Sequence, residues 1–187
     1  MNSTPVGQMI FWFEQAHAEL LKLVETVSDE QLAWQPHPSA TSMAFNVWHI
    51  ARWADYVQAK MPETTPVLSQ RLERRQQVWH AEDLATKLGL DPSSLGEIEA
   101  GNELGVVAAQ IHLPSRAFLL EYLRRCYTLE EQGLAAIDDQ QFQEHRMDGT
   151  GLPDETLGHW LMWHLVHEWE HLGMIRYVQG LLDLNAE

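Results

Sequence analysis

The sequence predicts an all-α protein: a bundle of four long amphipathic helices with a long connection between the second and the third. Apolar residues recur at steps of three and four in four separate segments, which is the period of a helix that buries one face. Prolines and glycines collect between these segments, most densely from Pro62 to Pro114. A chain of 187 residues is expected to form one domain, which here spans residues 1–187.

The first helix is predicted from about Val6 to Val27, because one apolar stripe runs through it: Met9, Phe13, Ala16, Leu20, Leu23 and Val27. Ser28 then opens the sequence Ser-Asp-Glu-Gln. In a capping box, Ser28 and Gln31 would each accept a hydrogen bond from the other's free backbone N–H. This pattern predicts a short helical turn that ends before Pro36.

The second helix is predicted to begin at Thr41 or Ser42, both of which are good N-caps. It is predicted to stop at Pro62, because proline lacks the backbone N–H that a helix needs. One shoulder of its apolar face carries three side chains at three- and four-residue spacing, namely His49, Trp53 and Tyr56.

The connection from Pro62 to Pro114 has a poor pattern, with short helices expected only between residues 69 and 89. Its apolar residues indicate an ordered segment that covers the bundle: Trp79, Leu84, Leu88 and Val106. The third helix is predicted after Pro114, and the fourth from about Asp154 to Leu182.

Composition excludes several classes of partner. The formal net charge of −15 disfavours binding to nucleic acid or to an anionic membrane surface, both of which attract basic proteins. Cys126 is the single cysteine, so the chain has neither an internal disulfide nor a thiolate metal cluster. The chain also lacks a signal-like start and a run of 18 apolar residues, so we expect a cytoplasmic protein.

The predicted fourth helix carries histidines on its buried stripe. The stripe positions are Leu157, Trp160, His164, His167, His171, Met174, Val178 and Leu181. A buried imidazole must satisfy two ring nitrogens, and a metal ion can do so for several imidazoles at once. His167 and His171 lie one turn apart, about 6 Å along the axis, so both can reach one ion. His164 could pair with His167 instead, but His164 and His171 are about 10 Å apart along the axis, so His164 is better explained by packing or by supporting a ligand.

The same residues match the H-E-x-x-H motif of zinc peptidases, in which the first glutamate, here Glu168, acts as general base. The longer form of the motif fails, because Met174 and Tyr177 occupy the positions of its glycine and third histidine. No strand pattern offers an edge for a peptide substrate. A metallopeptidase is therefore disfavoured, and Glu168 is either a solvated carboxylate or one that supports the site.

Three segments resemble the DinB/YfiT-like superfamily: SDEQLAWQP, FNVWHIARWADY and HLVHEWEHLGMIRYVQGLL. VWHAEDLATKLGL, in the long connection, is similar to a segment of one of its subfamilies. The resemblance implies an up-down-down-up four-helix bundle, often a homodimer, with a three-histidine metal site. Carried over by position, the ligands are His49, His167 and His171, with zinc or nickel as the usual ion. Some members are thiol-dependent S-transferases or isomerases that use low-molecular-weight thiols.

Three neutral imidazoles leave an open position on a four-coordinate ion, which lowers the pKa of a bound water or thiol. We therefore expect a metal-dependent enzyme acting on a small molecule, either a thiol-dependent transferase or isomerase or a hydrolase. Tyr56 and Glu168 are candidate proton-transfer residues, and four tryptophans are expected to keep the site partly dry: Trp48, Trp53, Trp160 and Trp163. Two alternatives remain, a non-catalytic bundle stabilised by metal and a dimeric interaction module with packed histidines.

Overall fold

The computed structural model describes residues 4–89, 113, 115–149, 152 and 154–185. Within these residues every regular element is a helix, and one isolated β-bridge joins His145 to Thr156. The predicted all-α class is therefore confirmed. None of the helices found in these ranges has the length and apolar character needed to cross a membrane.

Four helices are long: α1 (Pro5–Thr26), α3 (Met43–Thr64), α7 (Arg116–Leu134) and α9 (Leu157–Asn185). The short ones are α2 (Asp29–Ala33), α4 (Pro66–Arg71), α5 (Val78–Ala81), α6 (Leu84–Lys87) and α8 (Asp139–Gln143). Helices α1 and α3 each pack against both α7 and α9, so the four long helices enclose a shared interior. Large apolar side chains such as Phe13, Trp48 and Ile175 are completely buried there, each contributing roughly 1.5–3 kcal/mol.

The helix ends follow the sequence signals, with one exception. The predicted capping box is present, since Ser28 and Gln31 exchange hydrogen bonds between side chain and backbone. Ser42 caps α3 by accepting from the backbone N–H of Phe45 at 3.1 Å. The predicted stop at Pro62 is wrong, because α3 continues to Thr64. A proline so close to a helix end removes one backbone donor without obstructing a further turn, and the chain then enters α4.

The long connection contains three short helices, of which α5 and α6 lie within the predicted range and α4 begins three residues before it. Asp55 of α3 anchors it, because its carboxylate accepts from the backbone N–H groups of Val78 and Trp79 at 2.8 and 2.9 Å. The same carboxylate accepts from the hydroxyl of Tyr122 in α7 at 2.8 Å. This buried aspartate therefore ties the start of α5 to two long helices. Val106 lies outside the described residues.

Helix α9 buries a wider face than the predicted stripe. Met174 was placed on that stripe, yet its side chain is 48% exposed, whereas Glu168 is only 1% exposed. The physical reason is that α9 packs against both α1 and α3, so two adjoining faces are covered. The second face adds Leu161, Leu165, Glu168, Leu172 and Ile175 to the buried residues.

Candidate metal centre

Three histidines from two helices converge between α3 and α9. We call them the three-histidine cluster: His49, His167 and His171. One ring nitrogen of each lies within 4.8 Å of the others, and Nε2 of His49 is 3.0 Å from Nε2 of His167. Two lone pairs repel at such a distance unless a proton or a cation lies between them. Two nitrogens bound to one tetrahedral ion would be about 3.3 Å apart, so the observed spacing suits a shared divalent ion.

Burial keeps these imidazoles neutral. It lowers the pKa of His49 to about 2, with a further lowering by the positive charges that His171 and His167 would carry if protonated. Burial, together with His171 and His164, lowers the pKa of His167 to about 3. Burial alone lowers the pKa of His171 to about 4. At neutral pH all three rings therefore offer lone pairs, which is the form that binds metal.

Asn46 orients one of the three rings. Nδ1–H of His171 donates to Oδ1 of Asn46 at 2.7 Å. The amide nitrogen of Asn46 donates to the backbone oxygen of Ser42 and to the hydroxyl of Thr41, which sets the orientation of the amide. The lone pair of His171 is therefore on Nε2, and a ligand histidine is commonly supported in this way. Asn46 was not predicted from the sequence, although its position three residues before His49 puts it on the same face of α3.

A pocket of about 400 Å³ adjoins the three-histidine cluster. Its lining residues are Trp53, Tyr56, Arg146, Leu152, Glu155, Trp160, Trp163, His164 and His167. They come from α3, from α9 and from the segment between α8 and α9. The described part of the 62–114 connection packs on the bundle core through Trp79 and Leu84, as predicted, but does not line the pocket, and residues 90–112 and 114 lie outside the described residues. Arg146 and Glu155 form an ion pair at 2.6 Å on the pocket wall.

The predicted aromatic surroundings are found only in part. Trp53, Trp160 and Trp163 line the pocket, and Tyr56 packs edge-on against Trp53 with 5.6 Å between ring centroids. Trp48 is fully buried and packs against Trp79 instead. Trp163 is 59% exposed, so one side of the pocket opens to solvent.

Glu168 belongs to a second group, which we call the acid–histidine cluster: His17, Glu130, His164 and Glu168. All four residues are at most 5% exposed. Nε2 of His17 lies 3.5 Å from an oxygen of Glu130 and 3.5 Å from an oxygen of Glu168. Nε2 of His164 lies 2.8 Å from Glu130 and 3.6 Å from Glu168. Glu168 is therefore not a solvated carboxylate, and it contacts His164, which in turn lines the pocket.

Carboxylates reverse the effect of burial in this second cluster. Burial by itself would lower the pKa of His17, but the charge of Glu168 and contacts with Glu130 and Glu131 raise it to about 12. Burial opposes a raised pKa at His164 too, yet the charge of Glu130 raises it. Burial would raise the pKa of Glu130, but the charge of His164 and the contact with its ring lower it to about 2. Without a metal ion, the cluster is therefore an ion-paired network.

Sequence reasoning missed two members of this cluster, His17 and Glu130. A signal existed for Glu130, since it lies between Tyr127 and Leu134 at the three- and four-residue steps of the predicted apolar stripe. A charged residue on such a stripe predicts a buried partner. That signal does not identify the partner, because His17 lies on another helix.

The comparisons with known proteins agree with this fold. The sequence model of the DinB superfamily matches residues 13–175 of this chain, which include all three members of the three-histidine cluster. The chain belongs to the DinB superfamily. A crystal structure of a conserved protein from Enterococcus faecalis is similar, with a TM-score of 0.70 and 19% sequence identity, covering 94% of this chain and 95% of that one. At that identity the likeness shows the fold alone. A search of curated proteins found no match.

Proposed function

We propose that this DinB superfamily protein is a metal-dependent enzyme acting on a small molecule, with His49, His167 and His171 as ligands. One observation carries the proposal: three imidazoles that are neutral at physiological pH converge on one point, and one of them lines a pocket. Zinc or nickel is the proposed ion, because imidazole nitrogen suits both.

A divalent ion in this cluster would supply Lewis-acid chemistry, lowering the pKa of a water or thiol that binds it. The other residues have binding and positioning roles. Asn46 holds the ring of His171, and the indole side chains of Trp53 and Trp160, which line the pocket, exclude water and bind an apolar part of the substrate. The hydroxyl of Tyr56 is the group we assign to proton transfer at the pocket wall. Glu168 does not line the pocket, so a role in proton transfer would pass through His164.

The proposed reactions are transfer or isomerisation with a low-molecular-weight thiol, or hydrolysis. The pocket volume of about 400 Å³ falls within the usual range of small-molecule sites, which supports a small substrate. The net charge of −15 supports the same class over a nucleic acid, because phosphate backbones attract basic proteins.

The test compares the full-length protein with the His49→Ala variant after loading with zinc or nickel. Bound metal is measured by elemental analysis, and turnover is measured with thiol–electrophile pairs and activated esters. The expected result is one ion bound by the three-histidine cluster, with turnover that is lost in the variant. The exposed His37, replaced by alanine, is the matched control and should change neither quantity.

Two other outcomes contradict the proposal. Bound metal without turnover of either substrate class would favour a non-catalytic bundle in which the ion joins α3 to α9. A cluster that holds no ion after loading would remove the basis of both interpretations and favour an interaction module.

We also propose the up-down-down-up order for the long helices within one domain of residues 1–187. Side-chain pairs between neighbouring helices support it. Between α1 and α7, His17 pairs with Glu131 and Glu25 pairs with Arg124. Between α3 and α9, Asn46 pairs with His171 and Trp53 pairs with His167. In both pairings one residue number rises as the other falls, as in antiparallel helices. The numbers rise together between α1 and α9, where Phe13 meets His164 and Glu19 meets Arg176, as in parallel helices.

A homodimer is the proposed assembly, with the outer faces of α1 and α9 as its interface. Apolar side chains are exposed there, including Trp12 at 52%, Val166 at 43% and Tyr177 at 67%. Exposed apolar residues on adjoining helices are typical of interaction surfaces. Sedimentation equilibrium should show a dimer that the Trp12→Glu variant converts to a monomer, and a monomeric wild-type protein would contradict this interface.

A further inference from the structure

Three of the four contacts in the acid–histidine cluster are too long for hydrogen bonds and match the spacing of donor atoms around a shared ion, whereas the fourth, between His164 and Glu130, is 2.8 Å long. Nε2 of His17 is 3.5 Å from an oxygen of Glu130 and 3.5 Å from one of Glu168, whereas an N–H···O hydrogen bond is roughly 2.7–3.2 Å long. Donor atoms bound to a tetrahedral ion at about 2.0–2.2 Å are about 3.3–3.6 Å apart. The contact between His164 and Glu168, at 3.6 Å, is also at this separation.

Several atoms of this cluster are buried without a hydrogen-bond partner. Across the part of the chain that the structure describes, Nε2 of His17, Oε2 of Glu130 and both carboxylate oxygens of Glu168 make no hydrogen bond. Buried polar atoms are hydrogen-bonded in the great majority of cases, so four such atoms facing one another need a common explanation. A cation at their centre would satisfy all of them.

Glu131 orients His17 toward that centre. Nδ1–H of His17 donates to an oxygen of Glu131 at 2.7 Å, so its other nitrogen, Nε2, faces the two buried carboxylates. A carboxylate that holds the far side of an imidazole is the usual support of a ligand histidine. The ring of Tyr127 stacks on His17 with 3.6 Å between centroids, which restricts the rotation of the imidazole.

Charge balance favours a divalent ion. Two buried carboxylates carry two negative charges, and burying an uncompensated charge is costly. Either two imidazoles bind protons or one divalent cation replaces those protons and leaves both rings neutral. The pocket provides a route, because His164 belongs to this cluster and also lines the pocket wall.

We propose that His17, Glu130 and Glu168 form a second divalent-cation site, in which one imidazole nitrogen and two carboxylate oxygens bind the ion while His164 contacts both carboxylates. The donors come from α1, α7 and α9, so the ion would join three of the four long helices. Its carboxylates suit manganese as well as zinc, whereas three imidazoles alone bind manganese weakly. Manganese therefore distinguishes this site from the three-histidine cluster.

The experiment uses the full-length protein, stripped of metal by a chelator and dialysed. Zinc binding is counted by elemental analysis, and manganese binding is followed by the loss of the free-ion signal in electron paramagnetic resonance. The wild-type protein should bind two zinc ions and one manganese ion per chain. The His49→Ala variant should bind manganese as the wild-type protein does. The Glu130→Gln variant should bind manganese with an affinity at least tenfold weaker than that of the wild type.

Glu121→Gln is the matched control, because it removes the same charge from an exposed position of α7 and should leave both counts unchanged. Circular dichroism checks that each variant is folded, and Glu168→Gln replaces Glu130→Gln if the latter does not fold. The His49→Ala variant keeps the acid–histidine cluster intact, so a folded His49→Ala protein that binds neither zinc nor manganese would overturn the proposal. Full manganese binding by folded Glu130→Gln would overturn it as well. If the wild-type and His49→Ala proteins each bound one zinc ion, the result would contradict the three-histidine site but not the second site.

Discussion

The two clusters of this protein share helix α9 and differ in the protonation of their histidines. His167 and His171 face His49 and have pKa values lowered to about 3 and about 4, whereas His164 faces Glu130 and has a raised pKa. Burial lowers the pKa of all of these rings. The difference teaches that a neighbouring carboxylate, rather than burial, decides whether a core imidazole is a neutral ligand or a cation.

The largest expected effect is a loss of stability of the metal-free protein in acid. The histidines of the three-histidine cluster stay neutral when folded but protonate near pH 6.5 when unfolded. Their contribution to stability is therefore complete above pH 6.5 and is lost as the pH falls toward 4. Keeping one ring neutral two pH units below its ordinary pKa costs about 2.7 kcal/mol, so three rings cost several kcal/mol. Urea denaturation between pH 7 and pH 4 measures this loss.

The acid–histidine cluster should show the opposite slope. The pKa of His17 is raised to about 12, so its contribution to stability is complete below pH 6.5 and declines as the pH rises toward 12. In a plot of the free energy of unfolding against pH, the His49→Ala variant should show a smaller fall below pH 6.5 (the acid limb). The fall above pH 6.5 (the alkaline limb) should be unchanged. If that variant flattened both limbs, the two clusters would titrate as one unit and the comparison would fail.

Breaking the acid–histidine cluster is the next largest effect. Glu130→Gln removes one charge from a completely buried network and leaves His164 without its closest carboxylate. We expect a loss of about 3–5 kcal/mol in the free energy of unfolding of the metal-free protein. Urea denaturation at pH 7 measures it, with Glu121→Gln expected within about 0.5 kcal/mol of the wild type. A loss below 1 kcal/mol would show that His164 is not paired with Glu130 in solution.

Asn46→Ala should weaken the three-histidine cluster without affecting the other one. The ring of His171 would lose the acceptor that keeps its lone pair on Nε2. We expect zinc affinity at this cluster to fall about 10- to 100-fold, measured by competition with a chromophoric chelator. Asn46→Asp keeps an oxygen acceptor and serves as the control, with affinity at or above that of the wild type. Equal affinity in Asn46→Ala would assign the amide to packing alone.

The smallest expected effect belongs to the N-cap of α3. Ser42→Ala removes the side-chain acceptor for the N–H of Phe45 but keeps the backbone oxygen that binds Asn46. We expect a loss of about 1 kcal/mol in stability with unchanged metal affinity, measured by urea denaturation and chelator competition. A fall in metal affinity would mean that the start of α3 and the position of His49 are coupled.

Local spacing was enough to predict much of this protein. The four long helices, the capping box at Ser28 and the adjacency of His167 and His171 all follow from neighbours within a turn or two of one helix. A resemblance to a family, rather than spacing, linked His49 to that pair. The extension of α3 past Pro62 was missed because the rule that proline ends a helix takes no account of position. Near a helix end, the helix tolerates a proline.

Tertiary structure alone decided the rest. The meeting of His17 with Glu130 and Glu168 depends on three helices that are far apart in the chain, and the same is true of the bond from His171 to Asn46. Helical periodicity shows that a residue is buried on its own helix, but it does not show which side chain of another helix lies opposite. That pairing depends on how the helices pack, and here it separates a neutral cluster from a charged one on the same helix.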